Sequence, residues 1–328
     1  MADYGHKYAD KKISEVDRKL KRVYKQAQKE MKEKLSDFNT RFKKRDREMR
    51  ADLEANKITK SEYQNWLKGQ VFIKENWQKK IEQVNKILYD HNNQAMKLIN
   101  EGRLSTFAEN YNYQAYIAEK QLVGSFSLYN TESVARLMLE NPDLLPKWNI
   151  HKKKDYKWNA RRINSIVTQS IIQGKSVDDI TKELCDKLSS TNKDKMRMFA
   201  RTAMTGAENA GRQEQMNDAA KLGVEVHKKW EATHDSRTRA SHRAIDGEEV
   251  PYNEDFSNGL EFPGDPSGDA SEVYNCRCTM VTIYPEFEDR EAAQQRYDEM
   301  KIDGKDYSDW KHFDSYDDWK EWKESRKK

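Results

Sequence analysis

Between Trp230 and Val250 the chain reads WEATHDSRTRASHRAIDGEEV, which puts His234, Asp235, Arg237, Arg239, His242 and Arg243 within ten positions. The run Asn275-Cys276-Arg277-Cys278 follows 25 residues after Val250. Three chemistries fit these types. The first is a metal site. Cysteines two positions apart on an extended strand share a face, and with His242 and either Asp235 or His234 they make four ligands for zinc. Zinc modules usually carry two paired knuckles, whereas here there is one Cys-x-Cys, so no metal or cofactor is expected. If one is held, His242, Cys276 and Cys278 are its ligands. The second chemistry is catalysis, with His242 as general base and Arg237 or Arg239 facing an anion. The sequence shows no Gly-rich phosphate loop, nucleophile elbow or His-Glu-x-x-His helix to accompany it. The third is bracing. Asp235 accepts from amides of its own turn, Arg237 or Arg239 forks onto a carboxylate, and His242 donates to a backbone carbonyl. Bracing is the favoured reading, because a small sheet crossed by a long loop has few apolar contacts to hold it.

The elements that must position these residues follow from patterning. From Ile13 to Phe42 apolar residues recur at steps of three and four, a heptad rhythm with a narrow seam. Such a helix buries too little to stand alone and needs a partner. Thr59 and Glu62 have capping-box spacing and start a new helix. Ile81, Val84, Leu88, Ala95 and Leu98 then form a second seam, so the two fold back as an antiparallel hairpin with His91 as a polar core residue. Residues 101–150 read as irregular, with the aromatic-rich stretch AENYNYQAYIAEKQLVGSFSLYN as a bend or extension. A helix follows from about Trp158 and ends at Gly174. Ser176 and Asp179 cap a short helix that buries Cys185. A third helix, rich in small residues, runs from about Asn192 to Gly223. The stretches VEVHKKWEA, IDGEEVP and CRCTMVTIYP alternate as strands, with Asp246-Gly247 suiting a tight hairpin. The fold class is therefore α+β: a long N-terminal helical hairpin, then a helical bundle on a small, mostly antiparallel sheet. Three segments are expected: an arm over 1–154, a domain over 155–287 and a charged helical tail over 288–328. Trp310, Trp319 and Trp322 in that tail either dock on a partner or cover the chain's own surface.

Composition agrees with long exposed helices. The 328 residues are 35% charged and 36% hydrophobic, with a mean hydropathy of −1.13. Residues 1–50 hold 17 Lys/Arg against nine Asp/Glu in a chain of net charge +4, so a basic arm precedes a slightly acidic body. Three cysteines make no disulfide framework, and a Cys276–Cys278 bridge would close a small strained ring. The first residues carry no apolar signal core, and no run nears the roughly 18 apolar residues that cross a membrane. A reducing cytoplasm and no membrane partner are expected.

Several of these runs together resemble a known family. ARTAMTGAENAGR (Ala200–Arg212), which includes Arg201, precedes Trp230, Asp235, Arg237-Thr238-Arg239, His242 and Asp246-Gly247. An FPGDP loop and Asn275-Cys276-Arg277-Cys278 follow. This ordered set resembles the phage head morphogenesis domain, the minor capsid family typified by the Mu F protein, over roughly residues 155–287. Ala240 stands where a proline is expected, a minor departure. The resemblance implies a minor protein of a tailed phage or prophage head. It implies a place in the capsid interior near the portal, reached from the bacterial host cytoplasm during assembly. The implied partners are the portal protein, scaffolding or major capsid protein, and double-stranded DNA bound without sequence preference, to aid packaging or ejection. It implies no catalytic residue, so no enzyme is expected. Some relatives carry fused toxin domains after this module; the roughly 40 residues that follow here are too few for one. Lys43, Lys44, Arg45, Arg47 and Arg50 are the densest basic group and the candidate DNA contacts. The alternative is a nuclease or ADP-ribosyltransferase-like enzyme using Arg201, Arg237 and His242, which a pocket holding all three would favour.

Overall fold

Long helices follow wherever the chain keeps a three-four apolar step without Pro. The structure, a computed structural model, describes residues 3–72, 75–122, 125–145, 148–285 and 313–326, with 37–43, 70–72 and 75–78 described by backbone alone. Its helices are α1 (Tyr4–Glu54), α2 (Lys60–Phe72), α3 (Glu75–Gln121), α4 (Thr131–Glu140), α5 (Lys152–Ile172) and α6 (Val177–Lys221). Strand β1 (His227–Glu231), the short helix α7 (Ala240–Ala244), β2 (Glu249–Pro251), the single turn α8 (Ala270–Val273) and β3 (Thr279–Ile283) follow, and α9 (Tyr316–Ser325) comes last. The α+β class holds. The side chains of Phe38, Phe42 and Lys43, and Trp310 in the expected tail, lie outside what is described.

The chain divides into two compact units that interleave along the sequence. A helical unit takes 17–98 and 148–197; a mixed unit takes 1–16, 99–147 and 198–328. The boundary expected near 154 therefore falls inside the helical unit.

In the helical unit α1 and α3 run antiparallel, as their seams predict. Leu20, Val23, Ala27, Met31 and Leu35 are buried on one, and Ile81, Val84, Leu88 and Ala95 on the other. His91 is buried and sets Nε2 3.0 Å from Glu30 Oε2. The capping box forms as read: Thr59 N donates to Glu62 Oε2 at 2.7 Å and Glu62 N to Thr59 Oγ1 at 3.2 Å. Gly174, at φ +73°, closes α5 with Lys175 N bonded to Ser170 O. Ser176 and Asp179 cap α6 reciprocally. A buried polar knot then joins the helices. Asn92 Nδ2 donates to Asp155 Oδ2 at 3.0 Å and to Asn192 Oδ1 at 2.9 Å, and Lys195 Nζ lies 3.2 Å from Asp155 Oδ1. Cys185 packs in this core, and burial pushes its thiol up to about 12.

Two expected breaks are absent. The first part of the aromatic stretch, 108–121, is helix: α3 continues to Gln121 because Phe107, Tyr111, Ala115 and Ala118 fall on one buried face, and the irregular chain expected there begins only at Leu122. Likewise α6 is one helix of 45 residues, since SSTNK contains neither Gly nor Pro and Thr191 Oγ1 bonds back to Lys187 O at 2.7 Å. Gly223, at φ +82°, follows its end.

In the mixed unit the small residues of α6 permit backbone-to-backbone approach. A Cβ on Gly211 would stand 2.4 Å from Phe107 O, and one on Gly206 would stand 2.7 Å from Gly264 O in the FPGDP loop. Gly211→Ala should therefore destabilise the chain by about 1–3 kcal/mol in chemical denaturation. Gly69→Ala, where nothing lies within 4 Å, should leave stability unchanged or raise it by up to about 1 kcal/mol. The three-stranded antiparallel sheet has the order β2-β1-β3. Its register pairs Trp230 with Met280 and Lys228 with Val250. Asp246-Gly247 is not a hairpin tip, because α7 intervenes between β1 and β2. Gly247, at φ +83°, instead turns the chain out of α7, with its N–H on Trp230 O at 2.9 Å. The tail helix α9 covers this unit's own core: Trp319 is buried, with Nε1 2.6 Å from Glu119 Oε2, and Lys323 Nζ lies 2.7 Å from Glu119 Oε1.

Candidate functional site

The turn after β1 carries the acidic half of the motif. Asp235 Oδ1 accepts from Arg237 N at 2.9 Å, closing the local turn as its sequence predicts. The fork is made by a different arginine from the one expected. Arg277 meets Asp235 with two parallel bonds of 2.5 and 2.7 Å, and Arg237 makes a single side-chain contact of 3.2 Å. Arg277's paired donors, with help from Arg237, hold the Asp235 carboxyl well below the usual carboxylate range. Thr238 Oγ1 donates to Thr233 O, and Thr233 Oγ1 donates to Arg277 O at 2.6 Å. Arg239 donates to Tyr274 O. Asp246 Oδ1 accepts from Ala232 N at 2.8 Å. Each of these is a polar tie within one turn or between loop segments.

His242 departs from that reading: it does not donate to a backbone carbonyl. It is buried on α7, with its ring at 5.1 Å and nearly perpendicular to that of Trp230. Its Nδ1 faces Cys278 Sγ at 3.4 Å and Cys276 Sγ at 3.7 Å. Its Nε2 lies 2.9 Å from Glu272 Oε2, an ion-pair distance without the alignment of a hydrogen bond. Both cysteines are 2% exposed and sit in the segment before β3, not in the strand itself. Asn275, at φ +58°, turns that segment inward, and its N–H is held by Thr202 Oγ1 at 3.0 Å. The Cys276 thiol, next to Cys278, draws the Cys278 thiol below its ordinary range.

Four functional-looking residues escaped sequence reasoning. Arg212 is fully buried on α6, with Nη2 2.7 Å from Asp3 Oδ1, Nη1 2.9 Å from Asp3 Oδ2 and Nη1 3.0 Å from Met280 O. Glu208 Oε1 accepts from Thr279 Oγ1 at 2.7 Å and stands 2.9 Å from His6 Nδ1. Asn209 Nδ2 donates to Pro263 O, and Asn209 Oδ1 accepts from Met280 N. Together with His6, they lock the start of α1, the FPGDP loop and β3 onto one helix. The one sequence signal was polar residues interleaved with Ala and Gly at helical spacing in AENAGR. Burial works against a charge on His6, but the hydrogen bond and charge of Glu208, with Asp10, raise its pKa to about 9. A raised pKa stabilises fully below the unfolded value of about 6.5, and the gain is lost as pH rises through about 9. His6→Gln should therefore cost about 2–3 kcal/mol below pH 6.5, shrinking to little above pH 9, as denaturation of both proteins across that range would show.

The three residues of the enzymatic alternative occupy different settings. Arg237 is exposed on the turn, His242 is buried among sulfurs, and Arg201 is half-buried on α6. A cavity of about 430 Å³ beside β1 is lined by His6, His234, Asp246, Arg277 and Thr279 among others, and by none of those three.

Residues 161–281 match the family model described as Phage Mu protein F like protein. This stretch is similar to that family. It lies inside the 155–287 span suggested by the motif order, and the cluster from Trp230 to Cys278 falls within it. Over 285 residues the chain is 27% identical to Minor head protein GP7 of Bacillus phage SPP1, covering 84% of this chain and 85% of that protein. Over 163 residues it is 29% identical to NAD(+)--arginine ADP-ribosyltransferase EFV of Enterococcus faecalis, covering 48% of this chain. The aligned region spans only 33% of that transferase. No solved structure matches the chain. No helix among the described residues is long and apolar enough to cross a membrane.

Proposed function

We propose that this chain is a structural minor head protein of a tailed phage or prophage, seated inside the capsid near the portal, and not an enzyme. One observation carries the reading. Similarity to Minor head protein GP7 extends over 84% of the chain, so it takes in the helical stretches ahead of the Mu F-like domain as well as the domain. The transferase likeness covers a third of that protein's length, and Asp235, Arg277 and Thr238 are engaged in loop ties. The partners that fit are the portal protein, with scaffolding or major capsid protein alongside during assembly in the host cytoplasm. Co-expression with the portal protein of the same genome followed by pull-down tests this: recovery of both supports the reading. Turnover of RNA or a dinucleotide that His242→Ala abolishes would replace it.

Double-stranded DNA is the second partner. Lys44, Arg45 and Arg47 are exposed on α1, and Arg45 pairs only with Glu48 of its own helix at 3.0 Å among its described contacts. Arg50 is half-buried beside Tyr63 and Asp46, so it contributes to the unit's interior more than to its surface. Reversing Lys43, Lys44 and Arg45 to Glu should abolish retention on DNA while portal co-purification persists. The salt slope of any residual binding should shrink by about 0.9 per lost phosphate contact.

A further inference from the structure

We propose that His242, Cys276 and Cys278 form a three-ligand zinc(II) site that pins α7 to the segment entering β3. The three donor atoms lie within 4.8 Å of one another, and all three residues are buried. A tetrahedral zinc about 2.0–2.1 Å from nitrogen and about 2.3 Å from sulfur sets those ligands roughly 3.5–3.6 Å apart. From His242 Nδ1 the two sulfurs stand at 3.4 and 3.7 Å, on either side of that value. On the far side of the ring a carboxylate stands at ion-pair distance, short of hydrogen-bond alignment. Nε2 faces the Glu272 carboxylate at 2.9 Å, and Ser241 Oγ holds the same Oε2 at 2.8 Å. A metal on Nδ1 leaves the ring proton on Nε2, where a carboxylate is the usual partner of a zinc-bound histidine.

A divalent ion balances the charge of the ligands. Two thiolates and a dication sum to zero, so the assembly sits at this depth without an uncompensated charge. The mixed nitrogen and sulfur donor set suits zinc. The chain supplies three ligands and leaves the fourth tetrahedral position open to an external ligand. The consequence is mechanical. His242 belongs to a five-residue helix, and the cysteines to an irregular segment over 30 positions later. The apolar cluster around them is small, built on Trp230, Ile245, Phe256, Leu260 and Val273. A metal cross-link there adds what so small a core cannot.

The test uses the full chain purified without chelator and does not depend on portal or DNA. Elemental analysis should find one zinc per chain. Replacement with cobalt(II) should give a thiolate-to-cobalt charge-transfer band and the visible spectrum of a tetrahedral ion. Cys185→Ser should keep both; Cys276→Ser and Cys278→Ser should lose both. Since those variants can fail to fold, Glu272→Gln serves as the second probe: it keeps every ligand and should weaken zinc 10–100-fold in competition with a chromogenic chelator. A folded wild-type chain that takes up neither zinc nor cobalt overturns the proposal. So does zinc retained at one per chain in a folded Cys276→Ser, Cys278→Ser double variant, or unchanged affinity in Glu272→Gln.

Discussion

Arg212→Ala lowers the stability of the mixed unit by about 3–5 kcal/mol, the cost of removing one partner from a buried charge network. The side chain is 0% exposed, and its guanidinium meets Asp3, Glu208 and the Met280 carbonyl together. Truncation leaves the Glu208 carboxylate buried against His6 and Thr279 with one of its two cations gone, and it removes the guanidinium that holds Asp3. Lysine at this position restores charge but not the fork, so Arg212→Lys should recover only part of the loss. Chemical denaturation gives the magnitude, and hydrogen exchange at residues 3–16 reports whether the start of α1 detaches. A loss below about 1 kcal/mol would mean that the network is worth no more than a surface ion pair.

Trp230→Ala has a comparable effect, about 3–5 kcal/mol, centred on the sheet. Trp230 is fully buried on β1, and its ring meets both His242 and Phe256 at 5.1 Å in near-perpendicular geometry. Its Nε1 has no hydrogen-bond acceptor. Phenylalanine therefore loses volume but no hydrogen bond, and Trp230→Phe should cost clearly less than alanine. If the two variants were equally destabilised, the indole would be held by its polar edge and not by packing. Near-ultraviolet circular dichroism, with denaturation curves, separates the cases.

Legibility followed contact range. The Thr59–Glu62 box, the Ser176–Asp179 cap and the Gly174 exit close between residues three to five positions apart, where helical geometry leaves few choices. The seams of α1 and α3 were readable for the same reason, since a three-four step puts side chains on one face. Residues 108–121 of the aromatic stretch form helix against the sequence expectation because Tyr, Asn and Phe have weak helix preference, and burial of that face in the mixed unit overrode it. The break near Asn192 failed similarly: a polar run without Gly or Pro does not end a helix. Within the site, the local half of the bracing was legible, with Asp235 closing its own turn. The distant half was not, because Arg277, 42 positions away, takes the fork that Arg237 was expected to make.

By itself the sequence determined the α+β class, the paired seams, the caps and the ordered motif that resembles the Mu F-like family. Each depends on spacing along one element, and backbone geometry converts such spacing into position directly. Tertiary structure alone decided that His242 turns its Nδ1 to two sulfurs and its Nε2 to Glu272, and that Asp3 reaches Arg212 across 209 residues. Those pairings require separate segments to converge, and the side chains that meet are set by the path of the backbone between them, which no local pattern records.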